Sequence, residues 1–380
     1  MRAPCLEVNA RMPWIVLSPL RPRRRRALLV PALCVALGLG GCAWLDVKQR
    51  QAALRPSPGR PAGFEPGSAA DQARFRPGDQ RWTVQVPAAG APPRAGAAAA
   101  PHAETPDGVR MEAQTEAHTA THTTANTATN KTARTEALAL WWLPHPDPAA
   151  PTLLYLHGTF RNLYQNLPKI DALRDAGFSV LAVDYRGWGD SAAIVPSEAS
   201  ITADAAVAWA EMLRRQPVPQ RRLIYGHSMG GAVAVTLASG LRGGRDYAAL
   251  VLESTFTSLP EVAAAAGFWG RVAGNLTTLQ FDSLSRIGRV DAPILMLHGS
   301  ADTTVRVELG RRLRDAAPPG VRWVEFPGGS HSRLHSQAPE IYRRAFTELL
   351  QSLPAPAPPA SPASPASPAS SPAGKGGPAS

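Results

Sequence analysis

Leu223-Ile224-Tyr225-Gly226-His227-Ser228-Met229-Gly230-Gly231 is the stretch that decides the fold. A short apolar run, Leu223 to Tyr225, meets a serine flanked by glycines, and an Ala/Val-rich helical stretch follows from Ala232 to Leu241. Strand, sharp turn and helix in that order hold Ser228 in a strained turn that lifts its hydroxyl above a sheet edge. Gly226 and Gly230 let strand and helix pass closely, and the amide of Met229 points where an oxyanion would form. Ser228 is therefore the candidate nucleophile.

Outward from this turn the pattern alternates. Upstream, Thr152–Leu156 and Ser179–Val183 read as buried strands, and Leu163, Leu167, Ile170 and Leu173 fall at helical spacing, as do Ile201, Ala205, Ala208 and Met212. Downstream come strands Ala249–Leu252 and Ile294–Leu297, a helix near Glu308–Ala316, strand Val321–Phe326, and a last helix carrying Tyr342, Phe346 and Leu349. Strands alternating with helices predict an α/β fold, a mostly parallel central sheet with helices on both faces. Nearer the N-terminus, Trp82–Val86, Val109–Ala113 and Ala137–Leu143 read as strands. The Thr/Ala/Asn/His-rich residues 115–135 read as an insertion in a hairpin.

Ligands of such sheets bind at the carboxyl ends of strands. Three further segments lie at such ends. Leu156-His157-Gly158-Thr159-Phe160 turns on a glycine, so the amide of Thr159, or else that of Phe160, faces the serine as a second oxyanion donor. Leu297-His298-Gly299-Ser300-Ala301-Asp302 places Asp302 to orient a histidine and stabilise its charged form. Gly328-Gly329-Ser330-His331-Ser332 supplies His331 to take the Ser228 proton and return it to a leaving group. Glu253 is the alternative acid and His335, read as a surface residue, the alternative base. His157 reads as structural, and Asp184 and Arg186 as anchors of their own loop. Phe160, Tyr164, Trp188, Phe268 and Trp269 are candidates either for an acyl pocket or for core.

From about Trp82 to Leu353 the chain resembles an alpha/beta-hydrolase-fold serine hydrolase. The similarity is carried by Leu156-His157-Gly158, by Asp184-Tyr185-Arg186-Gly187-Trp188-Gly189-Asp190-Ser191 with Pro196-Ser197-Glu198, by Gly226–Gly231, by Leu252–Leu259, by His298–Val305, and by the chain order Ser228, Asp302, His331. Within that fold it looks most like the short-cap branch that includes depalmitoylases and lysophospholipid lipases. The resemblance implies hydrolysis of a carboxylic ester through an acyl-enzyme. A thioester or a peptide bond is the alternative within catalysis, and a non-catalytic envelope binding module is the alternative outside it. The family often has His-Gly-Asn-Ala-Gly where this chain has His157-Gly158-Thr159-Phe160-Arg161, and a proline where Arg306 stands. The cap must fit between Glu253 and Pro293, which leaves room for one or two short helices around Phe268-Trp269.

The start reads as a targeting segment. Arg21 and Arg23–Arg26 precede an apolar run, Ala27–Leu39, too short to span a membrane comfortably. It ends Leu39-Gly40-Gly41-Cys42, which resembles the lipobox of bacterial lipoproteins, whose cysteine is acylated and becomes the mature N-terminus. A plain secretory signal or a membrane stub is the alternative. Cleavage there removes Cys5 and Cys34, leaves only Cys42, and precludes a disulfide. Residues 1–41 hold seven Arg and one Glu, so +6 of the formal +11 belongs to this leader and +5 remains, too little to argue for nucleic acid. Residues 43–78 read as a disordered tether that can be deleted without effect on the domain, 79–353 as the globular domain, and 354–380 as a disordered Pro/Ala/Ser tail. His118 and His122 stand four apart, but in loop-like composition, and no Cys/His cluster has metal-ligand spacing; neither metal nor cofactor is expected. The expected protein is a monomer, anchored by lipid in the bacterial envelope. Ala43 stands where an aspartate would signal inner-membrane retention, so the outer membrane, facing the periplasm, is expected.

Overall fold

Strand alternation explains why the sheet is covered on both sides. In β3 (Thr152–Leu156), Leu154 and Leu156 enter one apolar layer while Leu153 and Tyr155 enter the other. A strand apolar on both faces is stable only between two layers of helix. The computed structural model describes residues 43–89 and 134–354 and shows that arrangement. The remaining strands are β1 (Gln80–Pro87), β2 (Thr135–Leu143), β4 (Ser179–Asp184), β5 (Arg222–His227), β6 (Ala249–Glu253), β7 (Ile294–Gly299) and β8 (Arg322–Phe326). They form one sheet in the order β1-β2-β4-β3-β5-β6-β7-β8. The first two pairings, β1 with β2 and β2 with β4, are antiparallel, and every other pairing is parallel. This is the alpha/beta-hydrolase fold.

Helices α3 (Leu163–Asp175) and α11 (Pro339–Ser352) pack on one face, through Leu163, Leu167, Ile170, Leu173, Tyr342, Phe346 and Leu349. Helices α4 (Glu198–Arg215), α5 (Met229–Ala238), α8 (Leu284–Ile287) and α9 (Val307–Asp315) contribute to the other. Between β6 and β7 the only other helices are α6 (Leu259–Ala264) and α7 (Phe268–Leu276), so the cap is short, as expected. One further turn of helix, α10 (Leu334–Gln337), precedes α11. The hairpin of β1 and β2 also forms, from Gln80↔Trp142 to Pro87↔Thr135. Most of its insertion, with the expected strand Val109–Ala113 and His118 and His122, lies outside the described residues, as do Cys42, the leader and the tail beyond Pro354.

Residues 43–78 are not a tether. They form α1 (43–54), a turn with backbone pairing of Pro58 to Gly189, and α2 (Ala69–Gln72). Leu54 and Phe64 are buried in the two layers, and the Asp71 carboxylate, fully buried, takes a two-pronged bond from Arg81 at 2.8 Å for each oxygen. Arg60 binds Asp190 in the same way, and the Asn162 side chain donates to the carbonyls of Ser57 and Gly59. The segment has few large apolar residues, and no period, because paired charges and backbone bonds do much of the holding. Composition alone does not register those.

Candidate active site

The turn after β5 has the strain its sequence implies. Ser228 sits at φ 54° and ψ −121°, a region that non-glycine residues rarely occupy. Its amide donates to the carbonyl of Glu253 at 2.9 Å, and the Thr255 hydroxyl donates to its carbonyl at 2.9 Å. These bonds hold a conformation that costs about 1–3 kcal/mol in isolation. A Cβ at Gly226 would lie 2.2 Å from the carbonyl oxygen of Gly230, and one at Gly230 would lie 2.1 Å from that of Leu156. Only glycine lets β5, α5 and β3 approach this closely.

Three loops at the carboxyl ends of the strands bring the expected residues together. His331 Nε2 lies 3.0 Å from the Ser228 hydroxyl, and His331 Nδ1 lies 2.7 Å from Asp302 Oδ2. The other oxygen of Asp302 accepts the backbone N–H groups of Thr304 and Val305, each at 2.9 Å. Burial pushes the Asp302 carboxyl up, but bonds from His298 and His331 and the Val305 amide outweigh it. They hold the group well below the usual carboxylate range. An acceptor that stays ionised fixes the proton of His331 on Nδ1 and leaves Nε2 free to take one from Ser228.

Met229 is the first residue of α5, so its N–H has no carbonyl one turn back to bind. Gly158 passes so close that a Cβ there would be 3.1 Å from that of Ser228, which carries Thr159 past the serine. A cavity of about 160 Å³ opens at this point, lined by Thr159, Phe160, Arg161, Ser228 and His331 among others. Phe160 has φ 60° and is exposed, with the Arg55 guanidinium 4.8 Å over its ring.

Of the other pocket candidates, Tyr164 and Trp188 are core. Tyr164 packs against Phe64 and Trp141 and donates to Asp190 at 2.6 Å, and Trp188 is fully buried against His157. Phe268 and Trp269 lie on the outside of α7, exposed, and do not line the cavity. Glu253 is not the acid. It is paired with Lys169 and accepts the hydroxyls of Tyr225 and Tyr342, at 2.6 and 3.0 Å. Burial pushes its carboxyl up, and the Lys169 charge and the bonds from Lys169 and Tyr225 more than reverse that. His335 is half-buried rather than on the surface, and burial lowers it to about 4. His157 is structural, as expected. It is fully buried, lowered by that burial to about 4, and bonded from Nδ1 to the carbonyl of Gly158.

Asp184 and Arg186 reach beyond their loop. Asp184 accepts the N–H of Leu163 at the start of α3, and Arg186 binds Asp204 of α4, Glu136 and the carbonyl of Pro87. Two histidines beside the site, His298 and His227, have no role in the sequence reading. His298 Nε2 lies 2.9 Å from the carbonyl of Val305 and 3.4 Å from Asp302, so it carries a proton and steadies the acid. His227 Nε2 lies 3.0 Å from the carbonyl of His331 and ties that loop to the nucleophile turn. The signal for His298 was its place four residues before Asp302 on the same strand-to-loop turn. Among the described residues, no group of three or more His, Cys, Asp or Glu could hold a metal ion.

A family profile described as serine aminopeptidase, S33, matches residues 147–286. An uncharacterized protein of Mycobacterium tuberculosis is 37% identical over 194 residues, which cover 50% of this chain and 67% of that protein. Lysophosphatidylserine lipase ABHD12 of Danio rerio is 32% identical over 194 residues, covering 47% of this chain and only 50% of the lipase. An esterase of Pyrococcus furiosus is similar in structure, with a TM-score of 0.47 and 22% identity over 57% of this chain and 85% of the esterase. With the sheet order and the Ser228 turn, the profile and the Mycobacterium tuberculosis relative identify the chain as a member of the serine aminopeptidase S33 family of alpha/beta hydrolases.

Proposed function

We propose that the protein is a serine hydrolase of carboxylic esters, working through an acyl-enzyme. The observation that carries this reading is the unbroken relay from Ser228 Oγ through His331 to Asp302, with steps of 3.0 and 2.7 Å. The Ser228 oxygen attacks the ester carbonyl while its proton passes to His331 Nε2. The carbonyl oxygen becomes an oxyanion beside the amides of Met229 and Thr159. As the carbon–oxygen ester bond breaks, His331 returns the proton to the departing alcohol. Water then repeats the sequence on the acyl-serine, with His331 first as base and then as acid. Asp302 stays ionised and offsets the charge on His331 throughout.

The lining of the cleft supports a substrate class. A second cavity of about 330 Å³ shares Arg161, Asn166 and Ser332 with the first and adds Arg333 and His335. None of the residues lining either cavity is an acid, and the Lys169 charge among them is matched by Glu253. Arg161 and Arg333 thus favour an ester whose leaving group is anionic. The name of the Danio rerio relative, a lysophosphatidylserine lipase, agrees with an anionic lysophospholipid.

The test is labelling of the full chain with a fluorophosphonate, followed by turnover of a lysophospholipid ester. Wild type should label and hydrolyse, and Ser228→Ala should do neither while remaining folded. A folded wild type that refuses the probe would end the catalytic reading in favour of a binding module. For location, we propose acylation of Cys42 and retention at the outer membrane. Cys42→Ser should then leave an unprocessed precursor or release the protein into the soluble pool. A wild type that fractionates as soluble, with no lipid at its N-terminus, would remove the anchor.

A further inference from the structure

Helix α7 is built inside out for a protein surface in water. Its sequence is Phe268-Trp269-Gly270-Arg271-Val272-Ala273-Gly274-Asn275-Leu276, and Gly274 is its only buried residue. The glycines face the protein: a Cβ at Gly270 would lie 2.0 Å from the carbonyl oxygen of Ala263, and one at Gly274 would lie 2.8 Å from that of Pro260. Helix α6 therefore occupies the glycine side, and the large apolar side chains point away from it. Trp269 is 79% exposed, Phe268 71% and Leu276 64%, with Val272 between them also exposed. An amphipathic helix that covers a core has the opposite arrangement.

The first turn of α1 extends this face. Thr278, two residues past Leu276, donates to Asp46 at 2.7 Å, and next to Asp46 stand Trp44, 62% exposed, and Leu45. Two segments 232 residues apart in sequence are thus tied together, each carrying exposed apolar side chains. From there α1 runs to the cleft, where Arg55, just past its end, covers Phe160. Exposed apolar side chains gathered on one helix, with the Phe268 and Trp269 rings 5.2 Å apart, mark a contact surface.

What covers the surface is indicated by the chain next to it. Trp44 is two residues from Cys42, and the apolar run Ala27–Leu39 lies just before that. Whether Cys42 is acylated or the run is retained, the adjoining chemistry is that of a membrane, and it begins at the edge of this face. Helix α7 has no acid and carries Arg271, and Asp46 at the start of α1 is paired with Arg50 at 2.8 Å, which suits a bilayer with anionic lipid. We propose that α7 and the first turn of α1 form a bilayer-contacting surface that sets the domain's orientation, with the Phe160 side of the cleft reached along α1. The proposal deepens the reading of a membrane-anchored hydrolase and rests on it for the occupant of the surface and for the effect on turnover.

The experiment uses the full chain, reconstituted in vesicles of phosphatidylethanolamine and phosphatidylglycerol with dibrominated acyl chains, which quench tryptophans that reach them. Wild type should be quenched, and Trp269→Phe should lose a measurable part of that quenching. Phe268→Ser combined with Trp269→Ser should lower hydrolysis of an ester embedded in the vesicle about tenfold and leave a soluble short-chain ester unchanged. Equal quenching of wild type and Trp269→Phe would overturn the proposal and mean that another part of the chain covers the helix. A lipid-free dimer that Trp269→Ser dissociates would overturn it in favour of a second copy. If wild type hydrolyses neither ester, the catalytic reading fails, yet the quenching still reports the surface.

Discussion

Glu253 ends β6 and Asp302 lies just past β7, and their surroundings separate them. Asp302 meets two histidines and two backbone amides, while Glu253 meets a lysine and two tyrosine hydroxyls. Asp302→Asn should fold and lower kcat by roughly 10³–10⁴, because the amide cannot hold His331 in the tautomer that accepts from Ser228. Glu253→Gln should instead lower stability, by about 3–5 kcal/mol, because it leaves the Lys169 charge buried without a counter-charge. Steady-state kinetics and urea unfolding on both variants give the comparison. A Glu253→Gln protein of full stability and no activity would reverse the assignment. Both carboxylates could be picked out from the sequence as strand-end acids. The sequence favoured Asp302 through its chain order and motif, but what Glu253 does instead needed Lys169, whose position on α3 has no local mark of that pairing.

At the scale of elements, α1 and the nucleophile turn make different demands. Leu54 closes α1 onto the layer that also holds Trp188 and Ile201. Leu54→Ala should cost about 2–4 kcal/mol, seen as a lower urea midpoint, and deletion of 43–78 should destabilise the domain rather than leave it untouched. A midpoint unchanged by Leu54→Ala would return the segment to the status of a tether. At the turn, Gly230→Ala puts a Cβ against the backbone of Leu156, which cannot swing aside. That variant should lose activity along with native structure, visible in near-ultraviolet circular dichroism. The turn was legible because its glycines, serine and flanking periods are neighbours in sequence. The docking of α1 was not, because Leu54, Phe64 and Asp71 each find their partners elsewhere in the chain.

At the scale of the whole molecule, His335, like His157, tilts stability one way between about pH 4 and 6.5, and Asp204 tilts it the other way. Burial lowers His335 from 6.5 to about 4, so between these values the unfolded chain binds a proton that the folded one does not, and stability falls on acidification. Burial raises Asp204 from 3.8 to about 6, despite its bonds from Arg186, so the folded chain binds the proton first and stability rises on acidification. His335→Gln should therefore remove a fall, and Asp204→Asn should remove a rise, over the same window. Urea unfolding at half-unit pH steps reads the two slopes. Slopes that tilt the same way would show that one of the two environments is wrong.

The sequence by itself determined the layered sheet, the Ser228 turn and the order Ser228, Asp302, His331. These are written in periods of two and 3.6 residues, in glycines beside a serine, and in strand ends, all of which are local. It also implied the family through Gly226–Gly231 and the motifs around it. Only the tertiary structure decided that Glu253 belongs to Lys169, that Tyr164 and Trp188 are core, that residues 43–78 are part of the domain, and that α7 turns its aromatic side outward. The physical reason is common to all four. Each depends on what a side chain meets across the fold, 84 residues away for Lys169 and Glu253, and the same tyrosine or tryptophan can be core or pocket until the neighbouring layer is in place.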